Sequence, residues 1–394
     1  MERPRTAVSI EQLLAAKEIV VACGSGGVGK TTTSAALAAM AAARQGGKVL
    51  VLTVDPARRL ADALGVQAIG NDARRVPAAA FAEAGTPARG ELWAAMLDTK
   101  RSWDDLVVQH APDRRTARRI LDNKLYENIA GRFVQSHEYI AMERLYQLHS
   151  EGSYDLIVVD TPPTRNALDF LEAPERMAEF FSSRFLRVLT APARSRVVNL
   201  ASRPFFTVAD RVLGSQFLHD IAEFFSLFQT MAPGFVDRAR SVSRLLRDHR
   251  TAYVVVTTLE AAPLHEAEVF VRALGERGFH LGAVVLNRVL PTWLLDDGAA
   301  TAATRLAEDP AGVAKALAAQ GGGTGPAAGD DAQVARVLGE IAESFLNFQV
   351  VAQREAEQRA ELAVSTDLVV SVPYFDTDVC DLADLLRLAE RVWA

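Results

Sequence analysis

The chain has 394 residues, 49% of them hydrophobic and 23% charged, with a formal net charge of −6. That length allows one large α/β domain with insertions, or two domains, around a sizeable core. The acidic balance gives no general attraction to nucleic acid or to anionic membranes, and two cysteines, Cys23 and Cys380, support neither a disulfide framework nor a Cys-x-x-Cys metal site. A reducing, cytoplasmic location is the expectation. Met1 to Ala16 carries charges and lacks the apolar centre of a secretion signal, and no uncharged apolar run reaches the roughly 18 residues that span a bilayer. Any membrane role is therefore expected to be indirect.

Ile19-Val20-Val21-Ala22-Cys23 reads as a buried strand, and Gly24-Ser25-Gly26-Gly27-Val28-Gly29-Lys30-Thr31-Thr32 follows it at once. Four glycines let the backbone curl around an anion, and the N–H groups of Gly26 to Gly29 and of the next helix point inward, so the stretch reads as a phosphate cradle. Lys30 is placed to reach the β- and γ-phosphates of a nucleotide such as ATP. Thr31 is expected to be a ligand of Mg²⁺, and Thr32 to help hold the α-phosphate. Ser34 to Arg44, rich in alanine, suits a helix packed closely on a sheet, and Gly46-Gly47 ends it. Lys48 to Val54 is a second buried strand, followed by Asp55-Pro56-Ala57-Arg58-Arg59. Strand, helix and strand make a parallel βαβ unit.

Residues 70 to 90 lose periodicity and are expected to be a loop, with a strand over Glu91 to Asp98. Apolar residues then recur at three- and four-residue intervals from 102 to 151, a helical block. Tyr154 to Asp160 is the next strand, and it ends on a carboxylate followed by Thr161-Pro162-Pro163-Thr164-Arg165. An acid at the C-terminal tip of a buried parallel strand lies where open α/β sheets bind ligands. A second helical block covers 172 to 248, in which Phe217, Ile221, Phe224, Phe225, Phe228 and Met231 share one helix face. That stripe reads either as the core of a helical subdomain or as a groove for an apolar client.

The α/β alternation resumes with strands over Ala252 to Thr258 and Leu281 to Leu286, the latter ending at Asn287-Arg288, and a helix over Leu264 to Glu276 between them. Residues 296 to 332, with Gly321-Gly322-Gly323-Thr324-Gly325-Pro326, read as a mobile surface insert. A helix from Val334 to about Leu362, a strand over Asp367 to Val372 with Pro373-Tyr374-Phe375 at its exit, and a helix from Asp381 to Trp393 complete the chain. The expectation is a single doubly wound α/β domain over 1–394, its mainly parallel sheet interrupted by helical insertions.

Taken together, the glycine loop, Thr53-Val54-Asp55-Pro56-Ala57, Val159 to Thr164, Val285-Leu286-Asn287-Arg288 and Val372-Pro373-Tyr374 resemble the deviant-P-loop ATPases of the arsenite-pump and tail-anchored-protein-targeting family, the bacterial ArsA-like members in particular. The resemblance covers nearly the whole chain. It implies an ATP-hydrolysing, Mg²⁺-dependent dimer that opens and closes with nucleotide state and binds a protein client or partner through its helical subdomain. Asp55 would orient the attacking water, and Asp160 to Thr164 would read the γ-phosphate and metal. Asn287, beside Arg288, would hydrogen-bond the adenine, with Pro373 and Tyr374 lining the base pocket.

Two departures stand out. The family's signature lysine, which reaches across the dimer toward the partner's nucleotide, is Ser25 in this chain. Two identical copies would lack that cation in each other's transition state, so the chain hydrolyses slowly, substitutes an arginine such as Arg58, Arg59 or Arg165, or pairs as a heterodimer with an ArsA-like paralogue that retains the lysine. Also missing are the Cys-x-x-Cys of eukaryotic targeting ATPases and the cysteine cluster of an arsenite-responsive pump. A weakly catalytic regulatory subunit is the alternative reading. A partition-type ATPase is disfavoured by the acidic balance, and a nitrogenase-type reductase by the lack of cluster-holding cysteines.

Overall fold

In the computed structural model, residues 9–54, 59–66, 69–123, 126, 136–162, 167–183, 224–319, 331–365 and 367–393 are described. Asp55, Arg58, Arg165, Phe217 and Ile221 fall outside them. Among the described residues eight strands form one sheet: β1 (Ile19–Cys23), β2 (Lys48–Thr53), β3 (Arg74–Arg75), β4 (Glu91–Met96), β5 (Leu156–Asp160), β6 (Thr251–Thr257), β7 (Leu281–Val289) and β8 (Val369–Pro373). Their order is β3-β4-β2-β5-β1-β6-β7-β8. Every pairing is parallel except that of the two-residue edge strand β3 with β4.

The helices are α1 (Ile10–Ala15), α2 (Lys30–Arg44), α3 (Arg59–Ala63), α4 (Ala78–Glu83), α5 (Thr99–His110), α6 (Arg114–Leu121) and α7 (Ser136–Ser150) in the first part of the chain. There follow α8 (Ala167–Ser182), α9 (Ala232–Leu246), α10 (Ala261–Glu276), α11 (Asp297–Glu308), α12 (Pro310–Ala319), α13 (Asp331–Ser365) and α14 (Leu382–Trp393).

The pleat of the strands explains the two cores. Successive side chains point to opposite faces, so Ile19, Val21 and Cys23 join Leu50, Leu52, Ile157 and Val159 on one side. Val20, Val49, Val51 and Val158 lie on the other. That second face receives α2, where Ala35 to Ala43 are at most 3% exposed. Alanine keeps the helix close enough to the sheet for its N-terminus to meet the strand tips. Helix α14 packs on α2 from outside with Leu385, Leu386 and Ala389.

The first face carries the helical layer. Phe224, Phe228 and Met231 are buried within it, against Phe181, Phe235 and Trp103. The aromatic stripe, where described, is therefore core and not an open groove. Its rings stack or tilt against a second aromatic set contributed by α5, α8 and α9, within the range of offset geometries in which large rings pack.

Residues 297–319, expected within a mobile insert, are helical in α11 and α12. The reason is local: alanine is the best helix former, Asp296 caps α11 by accepting from the N–H of Ala299 at 2.7 Å, and both helices pack on α13. The glycine run from 321 lies outside the described residues. Residues 70 to 90, expected as loop, also contain α4 and β3, and Phe81 of α4 is buried.

Candidate functional site

The C-terminal tips of β1, β2 and β5 meet at the start of α2. Beyond Cys23 the chain turns through Gly24, whose φ is +150°, and a Cβ there would stand 2.1 Å from the carbonyl oxygen of Val256. Gly29, at φ +95°, leads into α2, and its Cβ would fall 2.2 Å from Nδ2 of Asn287. Only glycine fits at either end of the loop. Between them Gly26 and Gly27 are exposed, so the backbone of the cradle is open to a ligand.

Lys30 is 6% exposed, and its ammonium donates to the carbonyls of Gly24 at 2.9 Å and Ser25 at 2.7 Å. The cation is thus held over the mouth of the loop, where a phosphate would compete for it. Thr32 sits half-buried in the first turn of α2. The Ser25 hydroxyl is enclosed and has no hydrogen-bond partner among the described residues.

One carboxylate, at the tip of β5, joins the start of α2 to the tip of β2. The Thr31 hydroxyl donates to Oδ2 of Asp160 at 2.7 Å, and the Thr53 hydroxyl donates to the same oxygen at 2.9 Å. Asp160 is fully buried. The parallel register places Thr53 opposite Asp160, and the N–H of Val54 donates to the Asp160 carbonyl at 3.1 Å. Thr53 was not apparent from the sequence. A hydroxyl at the end of β2 gains meaning only once β2 is known to lie beside β5.

At the other side of the loop, Asn287 is buried at the end of β7. Its Nδ2 donates to the Val28 carbonyl at 2.8 Å, and its Oδ1 accepts from the N–H of Arg288 at 3.0 Å. Arg288 takes the left-handed conformation, φ 61°, at a break in the β7–β8 register between Leu286 and Val289. Non-glycine residues adopt that conformation rarely, and bulges of this kind gather near functional sites. Pro373 closes β8, and Tyr374, 60% exposed, donates its N–H to the Val289 carbonyl at 2.9 Å. The structure therefore brings Gly26 to Thr32, Thr53 and Asp160 together, with Asn287 bridging to the β7–β8 end. Arg59 opens α3.

Cys23 lies directly beneath the loop. Burial pushes its thiol up to about 12, against the opposing pull of the Lys30 charge, so it stays neutral and unreactive. Cys380 is exposed at the far end of the chain.

The family model described as anion-transporting ATPase, ArsA, matches residues 17–306. The chain belongs to that family. Among its relatives are an ATPase ASNA1 homolog of Entamoeba dispar, 23% identical over 279 residues that are 68% of this chain and 75% of the relative. A putative arsenical pump-driving ATPase of Aquifex aeolicus is 27% identical over 276 residues, 68% of this chain and 79% of the relative. The ATPase GET3 of Podospora anserina is 25% identical over 268 residues, 68% and 71% of the two chains. This ArsA-family chain is accordingly an ATPase that binds ATP. The match ends within α11, so α12 and α13 lie beyond it.

The shared oxygen of Asp160 leads to an expected result. Thr53→Val removes a hydroxyl that donates to it beside that of Thr31, and a hydrogen bond to a charged group is worth roughly 1.5–3 kcal/mol. Chemical denaturation should show the protein destabilised by about that amount, and Thr53→Ser should restore it.

Proposed function

We propose that Thr31 and Asp160 hold Mg²⁺ against the phosphates of ATP, and that the chain works as one half of a dimeric nucleotide switch completed by a lysine-bearing paralogue. The carrying observation is the junction at Asp160, where the loop helix, the end of β2 and the end of β5 share one carboxylate oxygen. A hydroxyl and a buried carboxylate in contact are the hard oxygen ligands that Mg²⁺ takes beside phosphates. The glycine cradle, open at Gly26 and Gly27, fits the phosphate chain.

In this reading Lys30 leaves the carbonyls of Gly24 and Ser25 for the β- and γ-phosphates. Asp55, two residues beyond Thr53, orients the attacking water. Asn287, Arg288, Pro373 and Tyr374 receive the base. Because phosphoryl transfer depends on positioning and charge neutralisation, the role of Ser25 is decisive: its side chain is short and neutral, and it offers no cation to a partner's site. The paralogue would supply that charge in trans, and hydrolysis would reset the binding of a protein client.

One relative's name attributes to it the driving of an arsenical pump. Cys23 and Cys380, the only cysteines here, are a buried strand residue and a distant exposed one, which disfavours that chemistry for this chain.

Steady-state ATP hydrolysis tests the proposal. The chain alone should turn over slowly, and adding the paralogue, or substituting Ser25→Lys, should raise the rate by about 10²-fold or more. Fast hydrolysis by the chain alone, unchanged by Ser25→Lys and surviving alanine at Arg58, Arg59 and Arg165, would refute it.

A further inference from the structure

An apolar trough of about 750 Å³ opens beside the exit of β8. Its walls include Trp293, Leu294, Ile341, Phe345, Phe348 and Tyr374. Trp293 stacks on Phe345, with ring centroids 6.0 Å apart. Much of this surface faces solvent: Trp293 is 61% exposed, Ile341 56% and Phe348 52%. Exposed large apolar side chains are ordinary when scattered, but a contiguous set of aromatics around one concavity marks a binding surface.

The shape of the trough favours a helix. Val337, Ile341, Phe345 and Phe348 lie at offsets of 4, 8 and 11 along α13, a single ridge of three turns, about 16 Å long. A second helix laid along such a ridge would insert side chains spaced by three and four residues. The trough is also firmly based, because Glu355 of α13 accepts from the N–H of Leu290 at 2.9 Å and fixes the helix to the end of β7.

Charge then selects the occupant. Glu340 and Asp376 stand among the lining residues. The segments that build the trough, 290–297, 331–348 and 373–381, hold eight carboxylates against the single arginine Arg336, which faces Glu340 at 3.8 Å. These short stretches thus carry more negative charge than the chain's whole net of −6. A second copy would bring the same acidic rim against itself. An anionic lipid surface would be repelled as well.

We infer that this trough is a docking site for a cationic amphipathic helix of a partner protein, its apolar face in the trough and its lysines or arginines over the acidic rim. The site lies outside the buried stripe of Phe224 and Phe228 and largely beyond the region matched by the family model. It gives the proposed switch a partner chemistry, yet binding to nucleotide-free protein tests it without reference to hydrolysis.

The probe is a labelled helical peptide of about 18 residues made of leucine and lysine, compared with a leucine–glutamate peptide of the same pattern, by fluorescence anisotropy on the full chain. The lysine peptide should bind and the glutamate peptide should not. Ile341→Ser with Phe348→Ser should weaken binding by at least about tenfold. Glu340→Gln with Asp376→Asn should weaken it too and flatten its dependence on salt between about 50 and 300 mM, without altering the apolar wall. Basal ATP hydrolysis should be unchanged in both variants. Equal binding of the two peptides, or lysine-peptide binding indifferent to both variants, would overturn the inference. So would self-association of the chain that the serine variant abolishes while the peptide fails to bind, since the face would then join two copies.

Discussion

Lys30→Ala lowers ATP hydrolysis by at least about 10²- to 10³-fold, the range seen when one preorganised donor to developing charge is removed. The ammonium already sits over the loop, 2.9 Å and 2.7 Å from the carbonyls of Gly24 and Ser25, so on the proposed reading little reorganisation would separate its resting place from the phosphates. Lys30→Arg should not rescue the activity. A planar guanidinium cannot occupy the same 6%-exposed niche as a compact ammonium. Circular dichroism should show the fold intact, because β1 and α2 are held by the two cores and not by this side chain. Rate loss below about tenfold in a folded Lys30→Ala protein would remove the lysine from the chemistry.

Arg238→Ala destabilises the protein by about 3 kcal/mol, measured by chemical denaturation. Its Nε donates to Oε1 of Glu143 at 2.8 Å, and its guanidinium lies 4.8 Å over the ring of Tyr146. The Glu143 side chain is 5% exposed and that of Arg238 24%. Removing the arginine leaves a buried carboxylate with no cation beside it and the Tyr139 hydroxyl at 3.4 Å as a remaining donor, a loss that costs about 3–5 kcal/mol in a sealed site and less where water reaches the partner. The pair ties α7 to α9 beside the stacked rings of Trp103 and Phe235, so the loss should fall on the helical layer. Glu143→Leu combined with Arg238→Met should recover most of the stability, since neither charge is then left alone. Additive loss in the double variant would show that the two side chains act independently.

The motifs were legible in the sequence because their chemistry is local. Gly24 to Thr32 needs only a strand before it and a helix after it, and β1, β2 and β5 announce themselves as short β-branched runs buried on both faces. What the sequence withheld depends on neighbours distant along the chain. Thr53 reaches Asp160 across 107 positions and Asn287 reaches Val28 across 259. Both contacts exist because the strand order is not the chain order.

Periodicity has a similar limit. It assigned Phe224, Phe228 and Met231 to one face and Val334, Leu338, Ile341, Phe345 and Phe348 to another, but the first is buried whereas Ile341 and Phe348 of the second are exposed. A repeat of apolar residues specifies that a face exists without naming what lies opposite. In α11 and α12 alanines run up to a stretch of glycines, and composition alone merges the two although they have opposite effects on a helix.

Asn287 has one amide with two N–H donors, and in this structure one of them is committed to the loop. Its Nδ2 holds the Val28 carbonyl, at the crest of the phosphate loop. On the proposed assignment of Asn287 to the adenine, a base would take the second N–H of the amide whose first N–H holds the loop, so fixing the base would steady the loop, and a phosphate chain that reshapes the loop would shift the amide that the base needs. Recognition of the two ends of one nucleotide is then non-additive. The free energies of binding nucleoside and triphosphate separately should fail to sum, within linker entropy, to that of the intact molecule. An Asn287→Ala protein should lose the difference, so this single side chain would make the chain sense whether base and phosphates belong to the same ligand.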